Sequence, residues 1–224
     1  MMEELRAYEE LRVGFTAAVS HELRTPLARL LVLLETAMLP GADRDDLLAQ
    51  ARQQVEEMRE LVDDVLFLSE LESGREVVAL GATRALPVLQ EVADRVADSA
   101  ERADVAVRID ASPDVELPLR RRMLQIVVQN LADNSIWYAG PGSTLTLSAR
   151  PGVLEAADDG RGVDEEELPR LFERFYRSDR ARASRGSGLG LAIVKHVIGS
   201  AGGEVEASGG PGRGLQIVCR FPAR

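Results

Sequence analysis

Residues 185–196 read RGSGLGLAIVKH, with glycines at 186, 188 and 190 beside an apolar segment. We predict a helix over residues 188–200, and the N–H groups at the start of a helix form an anion site. The dinucleotide-binding fingerprint G-x-G-x-x-G needs a preceding strand and a βαβ unit. Here the spacing is G-x-G-x-G and an irregular polar stretch precedes it. The motif therefore argues against a doubly wound parallel fold and favours a phosphate-binding loop hinged by glycines.

The segments around this loop mix helices and strands without a regular βαβ alternation. Further helices are predicted over residues 87–103, 120–138 and 165–175. Strands are predicted at REVVAL (75–80), VAVRI (105–109), VEL (115–117), TLTLSAR (144–150), GVLEAAD (152–158), EVEAS (204–208) and LQIVCRF (215–221). This mixture predicts an α+β sandwich, in which helices cover one face of a single sheet.

The first third of the chain has a different pattern, with apolar residues at helical steps of three and four. One stripe ends at Pro40-Gly41, and a second ends before Ser73-Gly74. We predict an all-α helical hairpin over residues 1–73, a linker over 74–80 and the α+β domain over 81–224. One hairpin buries two stripes poorly, so we expect dimerisation into a four-helix bundle. A simple two-helix coiled-coil spacer is the alternative that periodicity leaves open.

Composition excludes several classes of function. The net charge is −10 and no basic block is present, which disfavours direct nucleic-acid binding. The single cysteine, Cys219, excludes an intramolecular disulfide and a cysteine-based zinc site. No signal peptide and no bilayer-spanning segment is evident in the sequence.

Two polar motifs lie beside predicted elements of the second domain. In DDGRG (158–162), a carboxylate after a strand could accept a hydrogen bond from an exocyclic amine, although such turns are also common hairpin connectors. In QNLADN (129–134), Asn130 and Asn134 are four residues apart and share one helical face. This pair could hold a hydrated cation such as Mg²⁺. The alternative is that both amides are buried and serve only the structure. An isolated pair of asparagines favours this alternative.

The stretch HELRTPL (21–27) places His21 on the first helix, directly before Glu22. A neutral imidazole is able to attack a phosphoryl group in line, with a neighbouring carboxylate as proton acceptor. A histidine on a helix is more often a surface residue. Pro26 cannot donate to the carbonyl of Glu22, so we hypothesise a bendable point beside the histidine.

Five motifs together resemble those of bacterial sensor histidine kinases, in that family's order and over most of residues 15–221. HELRTPL resembles the phosphoacceptor box, NLADN the asparagine box, DDGRG and RGSGLGL the two glycine boxes, and LFERFYR (171–177) the phenylalanine box. The resemblance implies a dimeric hairpin followed by an ATP-binding domain of the gyrase, MutL and histidine-kinase superfamily. It also implies autophosphorylation of the histidine and transfer of the phosphoryl group to an aspartate of a response regulator.

The resemblance implies a role for each matching residue. His21 would be the phosphoacceptor, Glu22 its base, and Thr25 the residue that positions water for dephosphorylation of the regulator. Asp158 would bind the adenine amine, and Asn134 would carry Mg²⁺. The implied nucleotide-binding residues are Asn130, Asn134, Tyr138, Asp158, Gly160, Gly162, Arg177, Gly186, Gly188, Leu189 and Gly190.

The implied partners are a second copy of the chain, the receiver domain of a response regulator and an upstream sensor domain. We expect a cytoplasmic location, as part of a membrane-bound sensor. One departure from the family pattern is Trp137, where a basic residue is usual. It favours, as an alternative, a degenerate nucleotide-binding or phosphatase-biased homologue. A non-enzymatic dimerising adaptor would leave the glycine motifs unexplained.

Overall fold

The computed structural model describes residues 2–73, 81–178 and 186–222, with only the backbone described for 2–16 and 72. The chain divides into two compact units, Met1–Ser69 and Glu70–Arg224. The predicted linker at 74–80, the predicted strand REVVAL and the predicted loop residues 179–185 lie outside the described residues.

The first unit consists of two long helices, α1 (Met2–Ala37) and α2 (Arg44–Glu72), of which α2 extends past the boundary between the units. The turn between them uses Gly41 at φ 80°, a left-handed conformation that favours glycine. Asp43 Oδ1 accepts a hydrogen bond from the N–H of Asp46 at 3.2 Å, which satisfies a free donor at the start of α2. The predicted two-helix pattern is confirmed.

Large apolar side chains of both helices are exposed. We call this set the apolar hairpin face: Leu27, Leu31, Val32, Leu34, Met38, Leu39, Leu48, Val55, Val62 and Leu66. No such exposed side chain occurs in the described part of the second unit. None of the described helices is long and apolar enough to cross a membrane.

The described part of the second unit has seven strands, of which five form one mixed sheet. The strands are β1 (Thr83–Arg84), β2 (Val105–Ala111), β3 (Glu116–Leu117), β4 (Ser143–Arg150), β5 (Val153–Asp158), β6 (Glu204–Gly209) and β7 (Leu215–Arg220). Their order in the main sheet is β2-β4-β5-β7-β6, while β1 and β3 form a separate antiparallel pair. Strands β2 and β4 are parallel, and the other neighbours in the main sheet are antiparallel.

Three helices pack on this sheet: α3 (Ala85–Ala103), α4 (Arg121–Tyr138) and α5 (Gly190–Ser200). Each helix buries an apolar face, such as Val88, Val92 and Val96 at steps of four on α3. The sheet also carries charged side chains that reach solvent and pair across strands, including Arg220 with Glu206 at 3.6 Å. The predicted α+β architecture is confirmed.

The helix predicted over residues 165–175 is wrong. The structure has only one 3-10 turn there, Leu168–Arg170, with Pro169 near its start. Phe175 ends the segment at φ 60°, and its N–H donates to the carbonyl of Gly188 at 2.9 Å. A contact distant in sequence therefore takes the hydrogen bond that a continuing helix would have used, which the local periodicity could not indicate.

Candidate functional site

Asp158, the last residue of β5, has a buried carboxylate that is held by three donors. The N–H groups of Gly160 and Leu215 donate to Oδ1 at 3.0 and 3.3 Å. The hydroxyl of Ser135 donates to Oδ2 at 3.1 Å. Burial raises the pKa of Asp158, and these hydrogen bonds oppose that rise. A carboxylate accepts roughly four hydrogen bonds, so Oδ2 retains one acceptor position.

The glycines of DDGRG make close contacts with protein backbone. A Cβ at Gly160 would collide with Ala139, and a Cβ at Gly162 would collide with the carbonyl oxygens of Gly210 and Gly214. Gly162 also has φ 65°. These glycines are therefore required for packing within the protein, and the role in nucleotide binding that the family resemblance implies for them stays a prediction.

The two asparagines of α4 differ in their hydrogen bonding. Asn130 donates from Nδ2 to the carbonyl of Ile126 at 2.8 Å, and its Oδ1 lies where a Cβ of Gly190 would be. Asn130 therefore packs against the start of α5. Asn134 is half-buried, and its amide makes no hydrogen bond among the residues that the structure describes. Asn134 is consequently the amide that remains available to a ligand.

The start of α5 is fixed to the phenylalanine motif. The Phe175 N–H bonds to the carbonyl of Gly188, and a Cβ at Gly188 (φ 71°) would meet the backbone of Phe175 at 2.8 Å. The side chain of Leu189 is fully buried, and its N–H donates to Ser187 Oγ at 3.2 Å. The side chain of Leu189 is therefore enclosed by the protein, and its carbonyl accepts a hydrogen bond from the N–H of Ile193 at 2.9 Å. Arg177, two residues after Phe175, is half-buried.

Two aromatic side chains at the end of α4 adjoin Gly186. A Cβ at Gly186 would lie 2.9 Å from the hydroxyl of Tyr138 and 3.2 Å from the six-membered ring of Trp137. The two rings meet edge to face, with centroids 6.4 Å apart. Gly186 has φ 124°, so both conformation and space favour glycine. Trp137, where the family resemblance leads one to expect a cation, thus packs against the glycine motif.

His21 lies on α1 with its side chain 75% exposed. Its Nδ1 is 3.5 Å from Glu22 Oε1, which leaves Nε2 as the ring nitrogen that faces away from the carboxylate. The exposed hydroxyl of Thr25 points back along the helix, 3.5 Å from the carbonyl of His21. Helix α1 continues through Pro26. The three residues are therefore adjacent on one exposed stretch of helix.

The predicted residues fall into two groups. Asn130, Asn134, Tyr138, Asp158, Arg177 and the glycines all belong to the second unit, whereas His21, Glu22 and Thr25 belong to the first. No cluster of three or more His, Cys, Asp or Glu side chains able to hold a metal occurs among the described residues. Sequence reasoning missed Ser135, whose only signal was a polar residue directly after Asn134.

The fold and these contacts define two domains of known type. The profile described as "His Kinase A (phospho-acceptor) domain" matches residues 11–74. The profile described as "Histidine kinase-, DNA gyrase B-, and HSP90-like ATPase" matches residues 119–224. The chain belongs to the bacterial sensor histidine kinases and has the architecture of their catalytic core.

Individual relatives are similar to this chain over most of its length. The sensor-like histidine kinase SenX3 of Mycobacterium tuberculosis is 32% identical over 225 residues, which cover 96% of this chain and 55% of SenX3. The solved structure of the Acinetobacter baumannii histidine kinase AdeS has a TM-score of 0.72 at 25% identity, covering 91% of this chain and 98% of that one. The histidine kinase ThkA, solved in complex with the response regulator protein TrrA, has a TM-score of 0.74 at 19% identity, covering 99% and 65%. The chain spans about half the length of the curated relatives it matches.

Proposed function

We propose that the chain is an ATP-dependent protein-histidine kinase core that phosphorylates His21 and passes the phosphoryl group to an aspartate of a response regulator. The observation that carries this proposal is the pairing of two available polar groups in the second unit. The Oδ2 atom of Asp158 retains one acceptor position, and the amide of Asn134 is unengaged among the described residues. Ser135, the neighbour of Asn134, bonds directly to Asp158. One helix thus connects a site for a base with a site for phosphates.

The nucleotide would bind through groups of opposite character at its two ends. The acceptor on Asp158 suits the exocyclic amine of adenine, because an ionised carboxylate accepts and does not donate. The start of α5, with Gly188 and Gly190, offers backbone N–H groups and a positive helix end to phosphate oxygens. Arg177 would add a charge-assisted hydrogen bond to the γ-phosphate.

The Asn134 amide oxygen fits a magnesium ion that is otherwise bound by phosphate oxygens and water. Hard cations take oxygen ligands, and Mg²⁺ keeps several waters when it binds with nucleotide phosphates. Bound there, Mg²⁺ would neutralise charge on the phosphates during transfer. Asn130 would keep its own amide bonded to the helix and hold the start of α5 in place.

Phosphoryl transfer would use His21 as the nucleophile. The ring nitrogen Nε2 would attack the γ-phosphorus in line, the bond to the bridging oxygen would break, and ADP would leave. Glu22 faces Nδ1 and would accept its proton as the ring becomes phosphorylated. Asn130, one turn before Asn134 on α4, has an amide side chain, and an amide cannot activate water as a base. The γ-phosphate would therefore be kept for the histidine.

The partners would be a second copy of the chain and a receiver domain. The apolar hairpin face would pack against its copy in a four-helix bundle, since monomeric proteins rarely expose large contiguous apolar patches. The complex of ThkA with TrrA supports a response regulator as the phosphoryl acceptor. Thr25 would position water for dephosphorylation of that regulator, with Pro26 as the point at which α1 bends. The signal would come from an upstream sensor domain.

Incubation with γ-labelled ATP and Mg²⁺ tests the proposal. We expect acid-labile, base-stable label on the wild-type chain and none on His21→Ala, whose nucleotide binding should be unchanged. Bound nucleotide without label would favour a degenerate homologue, which Trp137 would explain. Absence of nucleotide binding would favour a dimerising adaptor and contradict the kinase proposal.

A further inference from the structure

Ser135 has a buried hydroxyl that the reaction described above does not use. In the described part of the chain, the buried polar side chains are Ser135, Ser143, Ser148 and Asp158. Ser135 and Asp158 bond to each other, with Ser135 Oγ donating to Oδ2 at 3.1 Å. A serine inside a helix commonly donates to a backbone carbonyl one turn earlier. Here the donor points away from its own helix and to the end of β5.

The hydrogen bond from Ser135 affects the orientation of the Asp158 carboxylate. Backbone N–H groups of Gly160 and Leu215 fix Oδ1, which leaves Oδ2 to be oriented by a side chain. Ser135 is the donor that the structure gives to Oδ2. A hydrogen bond to the ionised form stabilises that form and holds the oxygen in place. It also occupies one acceptor position of Oδ2 and leaves the other for a ligand.

We propose that Ser135 is a positioning residue for adenine recognition, which orients Oδ2 of Asp158 toward the exocyclic amine of the nucleotide. The inference rests on the proposed function, because it assumes that Asp158 receives this amine. Ser135 does not contact the nucleotide itself in this account. It acts through Asp158, and Asn134, its neighbour in α4, serves the phosphate end.

The test compares two ligands in three versions of the full chain. The ligands are ADP and the diphosphate of purine riboside, which lacks the 6-amino group, each titrated calorimetrically with Mg²⁺ present. The proteins are the wild type, Ser135→Ala and the matched control Ser148→Ala. Ser148 is also a buried serine, but it lies on β4 opposite Glu155 and makes no bond to Asp158.

We expect Ser135→Ala to bind ADP about tenfold more weakly than the wild type, the effect of losing one charge-assisted hydrogen bond. Its affinity for the purine riboside diphosphate should change by less than about twofold. The preference for ADP over the analogue should therefore shrink in Ser135→Ala and stay at the wild-type value in Ser148→Ala. A purely structural role for Ser135 would weaken both ligands equally.

Two outcomes would overturn the inference in different ways. If the wild type binds no ADP, the proposed function fails, and the role of Ser135 fails with it. If the wild type prefers ADP and Ser135→Ala keeps the same preference, only the inference fails. Should Ser135→Ala not fold, Ser135→Cys provides the same measurement. Its thiol is a weak donor, so a preference as large as that of the wild type would equally contradict the inference.

Discussion

The two units hold their reactive groups in opposite ways. Asp158 in the second unit is buried, and three donors from α4, the following turn and β7 fix its oxygens. His21 in the first unit is exposed, and its ring nitrogen Nδ1 lies 3.5 Å from Oε1 of the neighbouring Glu22. The second unit has no exposed large apolar side chain in its described part, whereas the first has the apolar hairpin face.

This difference indicates which unit holds its residues in place without a partner. A binding site must be held in a fixed geometry before its ligand arrives, and the buried carboxylate of Asp158 with its three hydrogen bonds meets this need in the proposed site. The proposed phosphoacceptor, His21, would have to be reached in turn by a nucleotide and by a regulator, which its exposure allows. We therefore expect the second unit to tolerate few changes, and the first to depend on its partners.

The largest expected effect concerns glycines of the two units. Gly162→Ala places a Cβ against the carbonyl oxygens of Gly210 and Gly214 at φ 65°, and we expect it to lower the free energy of unfolding by about 3–5 kcal/mol. Gly41→Ala, at φ 80° with open space around it, should cost only about 1 kcal/mol. Calorimetric unfolding measures both. Equal losses of unfolding free energy in the two variants would contradict the tighter packing around glycine in the second unit.

Asp158→Asn should weaken ADP binding by about a hundredfold or more, because its amide nitrogen faces the amine as a second donor. Burial raises the pKa of Asp158, so the folded state keeps its proton to a higher pH than the unfolded chain. The stability contribution of Asp158 therefore falls as pH rises above about 4 toward the raised pKa. The Asp158→Asn variant has no carboxylate to ionise at this position, so its stability does not fall with pH through this group. Its melting temperature should equal or exceed that of the wild type at pH 7 and drop less between acid and neutral pH, as scanning calorimetry would reveal.

Leu31→Glu tests the dependence of the first unit on a partner. Leu31 is 57% exposed, so the substitution should leave the fold of the protomer intact but weaken the dimer by about tenfold or more, since burial of a leucine contributes about 2 kcal/mol. Sedimentation at several concentrations measures the dimer. Leu68, which is 1% exposed, provides the contrast, because Leu68→Ala should reduce stability by about 2–5 kcal/mol. A dimer unaffected by Leu31→Glu would argue against the apolar hairpin face as its interface.

The smallest expected effect concerns Trp137. Trp137→Arg should tighten ATP binding by up to about tenfold, because it restores a cation near the phosphates. The gain should decline at high salt, as expected for a charge interaction. The substitution also removes the contact with Gly186, which should weaken ATP binding. Trp137→Leu measures that weakening without adding a cation. Titrations of ATP at two ionic strengths compare the three proteins, and identical affinities would show that the missing cation is immaterial.

Sequence reasoning found the helices of the first unit, the strands β2 to β7 and most helices of the second, and the asparagine and glycine motifs, but it did not predict β1. These follow from local periodicity and from residue types with few alternative uses, such as glycine before a helix. It was wrong about residues 165–175, where Phe175 bonds to Gly188. It did not indicate that Gly160 and Gly162 pack closely against protein backbone, because those contacts come from Ala139, Gly210 and Gly214.

The sequence by itself determined the family, the order of the motifs and the kind of residue at each site. Only the tertiary structure decided which atoms of those residues are free. Ser135 reaches Asp158 across 23 residues, and Leu215 reaches it across 57. Hydrogen bonds between such distant positions depend on how α4, β5 and β7 pack together. The local sequence pattern does not specify that packing. The single open acceptor position on Asp158 and the unengaged amide of Asn134 are therefore visible only in the folded structure.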